Sequence, residues 1–109
     1  MRRRKKSGPR RPSRKEHQLC AQVREVVNLT LAEASIENLA SAWCPEVRPA
    51  PSSQRLMVVV EVGPGDDPDE VRALLQRLSG HFRAEVAAAI HRRNTPELFF
   101  QVVLPGQPT

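Results

Sequence analysis

Residues 66–104, DDPDEVRALLQRLSGHFRAEVAAAIHRRNTPELFFQVVL, read as helix, glycine break, helix and strand. Asp66 and Asp67 offer side-chain oxygens to free helix N–H groups, Pro68 suits a first helical position, and Glu70 stands three residues past Asp67 as a capping-box acid. Val71, Leu74, Leu75 and Leu78 then recur at i, i+3, i+4 and i+7, the spacing of one buried helical stripe. Gly80 interrupts that pattern, and Phe82, Val86, Ala89 and Ile90 begin a second stripe in a new phase. A glycine between helices of different phase predicts a bend that needs its lack of a Cβ. Asn94 and Pro96 end the second helix, with Thr95 pushed toward an extended conformation by the proline that follows it. Strict alternation comes next, with Leu98, Phe100, Val102 and Leu104 on one strand face and Phe99, Gln101 and Val103 on the other.

Working upstream, RLMVVVEV at 55–62 is β-branched and almost continuously apolar, as a strand with neighbours on both sides should be. SAWCPEVR at 41–48 is strand-like but contains Pro45, which cannot donate to a ladder, so it belongs at an edge. These two segments, separated by the turn PAPSS, predict an antiparallel hairpin. Before them Leu19, Val23, Val26, Val27, Thr30, Leu31 and Ala34 recur at helical spacing from Lys15 onward, and Ile36 and Leu39 either extend the stripe or start the turn. The order helix, strand, strand, helix, helix, strand is an α+β domain, one three-stranded sheet covered by helices. The 109 residues thus divide into a basic arm at 1–14, a domain at 15–104 and a loose tail at 105–109.

Charge is partitioned sharply. Nine of the seventeen Lys and Arg residues fall in the first fifteen positions, which hold no acid, while eight basic residues face twelve acidic ones from Glu16 onward. A mildly acidic body therefore carries a basic arm, with Arg2, Arg3, Arg4, Lys5 and Lys6 at its head. Too apolar-poor to offset its ordering entropy by burial, such an arm attracts polyanions, nucleic acid first and an anionic membrane surface second; it could otherwise be a solubilising extension or an address. No apolar run approaches the ~18 residues of a membrane span, and no apolar core follows the basic start as in a signal peptide. The expectation is a cytoplasmic chain that engages no membrane.

Nothing in the sequence has the spacing of a catalytic or metal site. His17 and Cys20 are related as H-x-x-C, and Cys44, His81 and His91 are also present, but zinc sites use paired C-x-x-C or H-x-x-x-H ligands; no metal and no cofactor are expected. The loop Gly63-Pro64-Gly65 lacks the lysine and hydroxyl of a phosphate-binding loop, and the acids at 66–70 are explained by helix capping. Two cysteines make no disulfide framework. The cations Arg72, Arg77, Arg83, His91, Arg92 and Arg93 flank the apolar stripes of the two helices without interrupting them. They form either a polyanion-binding strip or an ordinary solvated surface. Trp43 could stack on a base or serve as a partly buried anchor.

With the order of elements, the break Leu78-Ser79-Gly80 between two helices, and Pro96-Glu97-Leu98 leading into an aromatic last strand, residues 15–104 resemble the ribosome-binding factor A family. The resemblance implies a type II KH-like fold, with three helices on one face of a three-stranded sheet. It implies a non-enzymatic factor of ribosome biogenesis that binds small-subunit (16S) rRNA as a monomer and assists late maturation of the 30S subunit. In that family an Ala-x-Gly interhelical kink replaces the GxxG loop of ordinary KH domains, and it maps onto Leu78, Ser79 and Gly80. The two basic positions that commonly precede Pro-Glu-Leu map onto His91 and Arg93. The sequence departs from the family at Leu78, at His91 and at Val102-Val103, where Ala, Arg and Tyr-Asp are usual. Alternatives are a structural nucleic-acid-binding protein of the ribosome or elsewhere, and a protein-protein adaptor.

Overall fold

A computed structural model of the chain describes residues 13–34, 39, 41–50, 54–91 and 94–106. Helix α1 (Arg14–Glu33), with its cap at Ser13, begins inside what reads as arm. The reason is a reciprocal cap: the Ser13 hydroxyl accepts the Glu16 N–H at 3.2 Å, and the Glu16 carboxylate accepts the Ser13 N–H at 3.0 Å. Leu19, Cys20, Val23, Val27, Thr30 and Leu31 form its buried face, with the Thr30 hydroxyl donating to the Val26 carbonyl one turn back. The helix stops at Glu33; residues 35–38, Ile36 among them, lie outside the described set, and Leu39 is fully buried.

Strands β1 (Trp43–Pro49) and β2 (Arg55–Glu61) pair antiparallel, and β3 (Glu97–Val103) pairs with β2 in parallel, giving the order β1-β2-β3. The expected hairpin and the expected central strand are both present. A parallel neighbour needs a crossover, which α2 (Pro68–Arg77) and α3 (Ser79–Ala89) provide. Alternation decides the faces. Val47, Leu56, Val58 and Val60 pack into the core under the helices, joined by Leu98, Phe100 and Val102 and by Val71, Leu75, Phe82 and Val86 from α2 and α3. Phe82 meets Phe100 edge to face at 5.4 Å between ring centres.

Pro45 lies within β1, and the ladder shifts there by one residue between Trp43 and Glu46, a β-bulge that returns both residues to the open face. The open face is largely polar. Arg48 reaches from β1 across β2 to the Gln101 carboxamide on β3 (3.3 Å) and pairs with Glu46 at 3.3 Å, while Val59, in register between Glu46 and Gln101, is fully buried. Trp43 and Phe99, 48% and 41% exposed, stand on strands at opposite edges of this face.

Candidate nucleic-acid interface

Continuity nearly holds across the join of α2 and α3. Leu78 has φ −97° and ψ 7°, outside the helical range, yet its N–H donates to the Leu74 carbonyl (2.9 Å) and its carbonyl accepts from Phe82 (3.0 Å). The break is therefore one residue long and falls on Leu78. Gly80 is already inside α3, without a left-handed backbone, and a Cβ built on it meets nothing within 4 Å. The expectation that Gly80 is conformationally required is thus corrected. The two stripes differ in phase because Leu78 leaves the helical range, and a Cβ on Gly80 would stand in open space among the described residues. The glycine with no room is Gly63, where an added Cβ would lie 2.5 Å from the Ser41 hydroxyl, itself donating to Asp66 at 2.7 Å.

Two open concavities are lined by the residues that follow this break. One, of about 260 Å³, is lined by Arg72, Gln76, Ser79 and the β3 residues Leu98, Phe99 and Phe100. The other, of about 360 Å³, is lined by Gly80, Arg83, Ala84, Ala87 and Thr95. Consecutive residues, Ser79 and Gly80, thus serve different concavities. The small side chains of Gly80, Ala84 and Ala87 let a flat ligand come near the α3 backbone, and Leu98 and Phe100 give the first concavity an apolar wall on which a base can pack.

The described cations line separate concavities. Arg72 is paired with Asp69 at 2.6 Å on the surface, and Arg77 shares a separate shallow concavity with Glu70, Ala73 and Leu74. Arg83 donates to the Thr95 carbonyl at 3.4 Å, tying α3 to the segment before β3. His91 lies elsewhere, in a concavity of about 440 Å³ between the start of α1 and the end of α3, with Lys15, Gln18, Leu19, Gln22, Ala89 and Ile90. Arg92 and Arg93 lie outside the described residues, as do Arg2, Arg3, Arg4, Lys5 and Lys6. Their sequence neighbours locate their attachment points: the arm joins α1 one residue before Arg14, and Lys15 shares its concavity with His91, directly before Arg92. The fold therefore brings Lys15, in the first turn of α1, beside His91, two residues past the end of α3.

Lys15 and the β3 wall are the residues that sequence reasoning did not place in the site. The β3 alternation was legible, but the packing of α2 beside it was not. Burial disfavours the thiolate of both cysteines. Burial pushes the Cys44 thiol up from 9.0 to about 11, outweighing a backbone hydrogen bond of Glu46 that lowers it, and burial followed by the charge of Glu16 raises that of Cys20. Among the described residues no three His, Cys, Asp or Glu side chains gather as metal ligands, and no helix is long and apolar enough to cross a membrane.

No protein-family model matches the sequence, and no curated protein matches it. Solved structures do. The crystal structure of ribosome-binding factor A from Thermus thermophilus is similar with a TM-score of 0.72 at 21% identity, over 80% of this chain and 93% of that one. A Thermus thermophilus ribosome-binding factor A fitted into a cryo-electron-microscopy map of a 30S complex is similar at 0.69 and 20%, over 86% and 99%. A solution structure of a Thermotoga maritima protein assigned to ribosome-binding factor A is similar at 0.66 and 18%, over 84% and 89%. What these proteins share with this chain at such identities is the fold, the α+β arrangement of three helices on a mixed three-stranded sheet.

Proposed function

We propose that this chain, which has the ribosome-binding factor A fold, also does that family's work: a non-enzymatic assembly factor that binds 16S rRNA and assists late maturation of the 30S subunit in the cytoplasm. The observation that carries this reading is the likeness in fold to a protein fitted into a map of a 30S complex, joined to two arginine-bearing concavities lined by Ser79 and Gly80 next to the helix break. In its working form a monomer engages one subunit. The concavities beside Arg72 and Arg83 meet the RNA by shape and stacking, and the arm and the Lys15–His91 corner neutralise phosphates. No turnover and no metal are required, since the work is to hold one RNA arrangement over others.

Sedimentation of cell extracts tests the proposal. The protein should cofractionate with immature small subunits and leave mature ribosomes. Permanent residence in mature ribosomes would instead make it a structural component, and absence from both would make it an adaptor whose partner is another protein.

A further inference from the structure

The concavity between the start of α1 and the end of α3 holds more than its two cations require. Lys15, Gln18, Leu19 and Gln22 stand at i, i+3, i+4 and i+7, so one face of α1 supplies them all. α3 ends at Ala89, Ile90 leaves the helical range with φ −117° and ψ 116°, and Ile90 and His91 complete the lining. The volume of about 440 Å³ lies in the range of sites that take a small ligand.

The lining divides by chemistry. Leu19 and Ile90 are buried and form an apolar floor. Lys15, Gln18, Gln22 and His91 are exposed around it, and their side chains have no hydrogen bond or ion pair among the described residues. No acid is among the described residues that line it. A phosphate alone does not account for this set. Lys15 and His91 suit an anion, but the carboxamide oxygens of two glutamines repel one, and an apolar floor gives it no donors. A nucleobase uses every part: its face packs on Leu19 and Ile90 and stacks against the imidazole, while its edge meets a carboxamide. A carboxamide sets an N–H donor beside an acceptor, the complement of adenine N6 and N7.

We propose that this concavity takes one unpaired adenine nucleotide of an RNA, its base edge read by Gln18 and Gln22 and its phosphate held by Lys15. The proposal rests on the RNA-binding reading above. To a surface that otherwise reads shape and charge it adds one contact that reads base identity.

The test uses the full chain and short RNA hairpins that differ only in a single bulged nucleotide, A, G, C or U, titrated at one salt concentration. The adenine bulge should bind about tenfold tighter than the other three, and unsubstituted purine in its place, lacking the N6 amine, should lose that advantage. Q18A/Q22A should abolish the difference between the four hairpins. Both side chains are exposed on α1, and the circular dichroism of the variant should match the wild type. K15A should weaken all four hairpins alike and keep the adenine preference, as loss of a phosphate contact does. Equal binding of the four hairpins by the wild-type chain overturns this inference alone, for the corner then only neutralises phosphates. A preference for another base, or an adenine preference that survives Q18A/Q22A, overturns it too. If no hairpin binds, the inference falls, and the RNA reading falls with it where small-subunit rRNA also fails to bind.

Discussion

The Asn28 carboxamide holds both backbone groups of Cys44, accepting its N–H at 2.6 Å and donating to its carbonyl at 2.9 Å across sixteen residues of sequence. A bulge takes residues out of the ladder, and their backbone groups need partners or carry a desolvation penalty. Here α1 supplies one side chain with a donor and an acceptor at the right separation, so the bulge is sealed from the helix side. The same contact fixes where α1 lies along the sheet.

Asn28→Ala should therefore destabilise the fold by about 2–3 kcal/mol, since two part-buried backbone groups lose their partners. Asn28→Asp keeps the acceptor but sets a carboxylate against the Cys44 carbonyl, and should also be destabilising. Urea denaturation midpoints check this; an Asn28→Ala variant as stable as the wild type would remove the bulge seal from the account.

The glycines give opposite expectations. Gly63→Ala drives a Cβ to within 2.5 Å of the Ser41 hydroxyl and 2.9 Å of the Asp66 carboxylate, and should break their hydrogen bond. Gly80→Ala meets open space inside α3 and should stabilise by about 0.5–1 kcal/mol, the helix-propensity difference. Thermal melts of the pair should move in opposite directions.

Alkaline pH should erode stability through Cys44. Its thiol is raised from 9.0 to about 11 in the fold, so the folded state keeps a proton that the unfolded state gives up. Between those values unfolding releases a proton, and stability falls as pH rises, by on the order of 2 kcal/mol in all. Cys44→Ala should flatten this part of the profile in denaturation midpoints taken across it, while Cys20→Ala should leave most of it.

Affinity for RNA should divide between arm and body. Deleting residues 2–12 removes seven cations yet keeps the Ser13 cap of α1. Binding to all RNAs should weaken alike, with the salt slope flattening by about 0.7 for each phosphate that the arm no longer neutralises on a single-stranded target. Changing Arg83, Arg92 and Arg93 to alanine should lower preference for small-subunit rRNA more than it lowers the slope. Titrations on that rRNA and on an unrelated duplex across a salt series check both. If the deletion abolishes preference and the triple alanine variant retains it, specific recognition lies in the arm.

Much of this protein was determined by its sequence alone, because the relevant physics acts within a few residues. The Asp67-Pro68 helix start, the stripe Val71, Leu74, Leu75 and Leu78, the alternation of β3 and the edge placement of a strand holding Pro45 all follow from local hydrogen bonding, period and proline geometry. So does the separation of a basic arm from an acidic body. The Ser13–Glu16 cap was equally local, and the run of cations around it drew the boundary two residues too late. Only the tertiary structure decided which glycine lacks room, since Ser41 reaches Gly63 from 22 positions away while nothing reaches Gly80. It also decided that Asn28 meets Cys44, that Arg48 spans β2 to Gln101, and that Lys15 stands beside His91. Each of these joins residues far apart in the chain, and no local propensity encodes such a contact: it exists once the packed core has fixed the helices against the sheet.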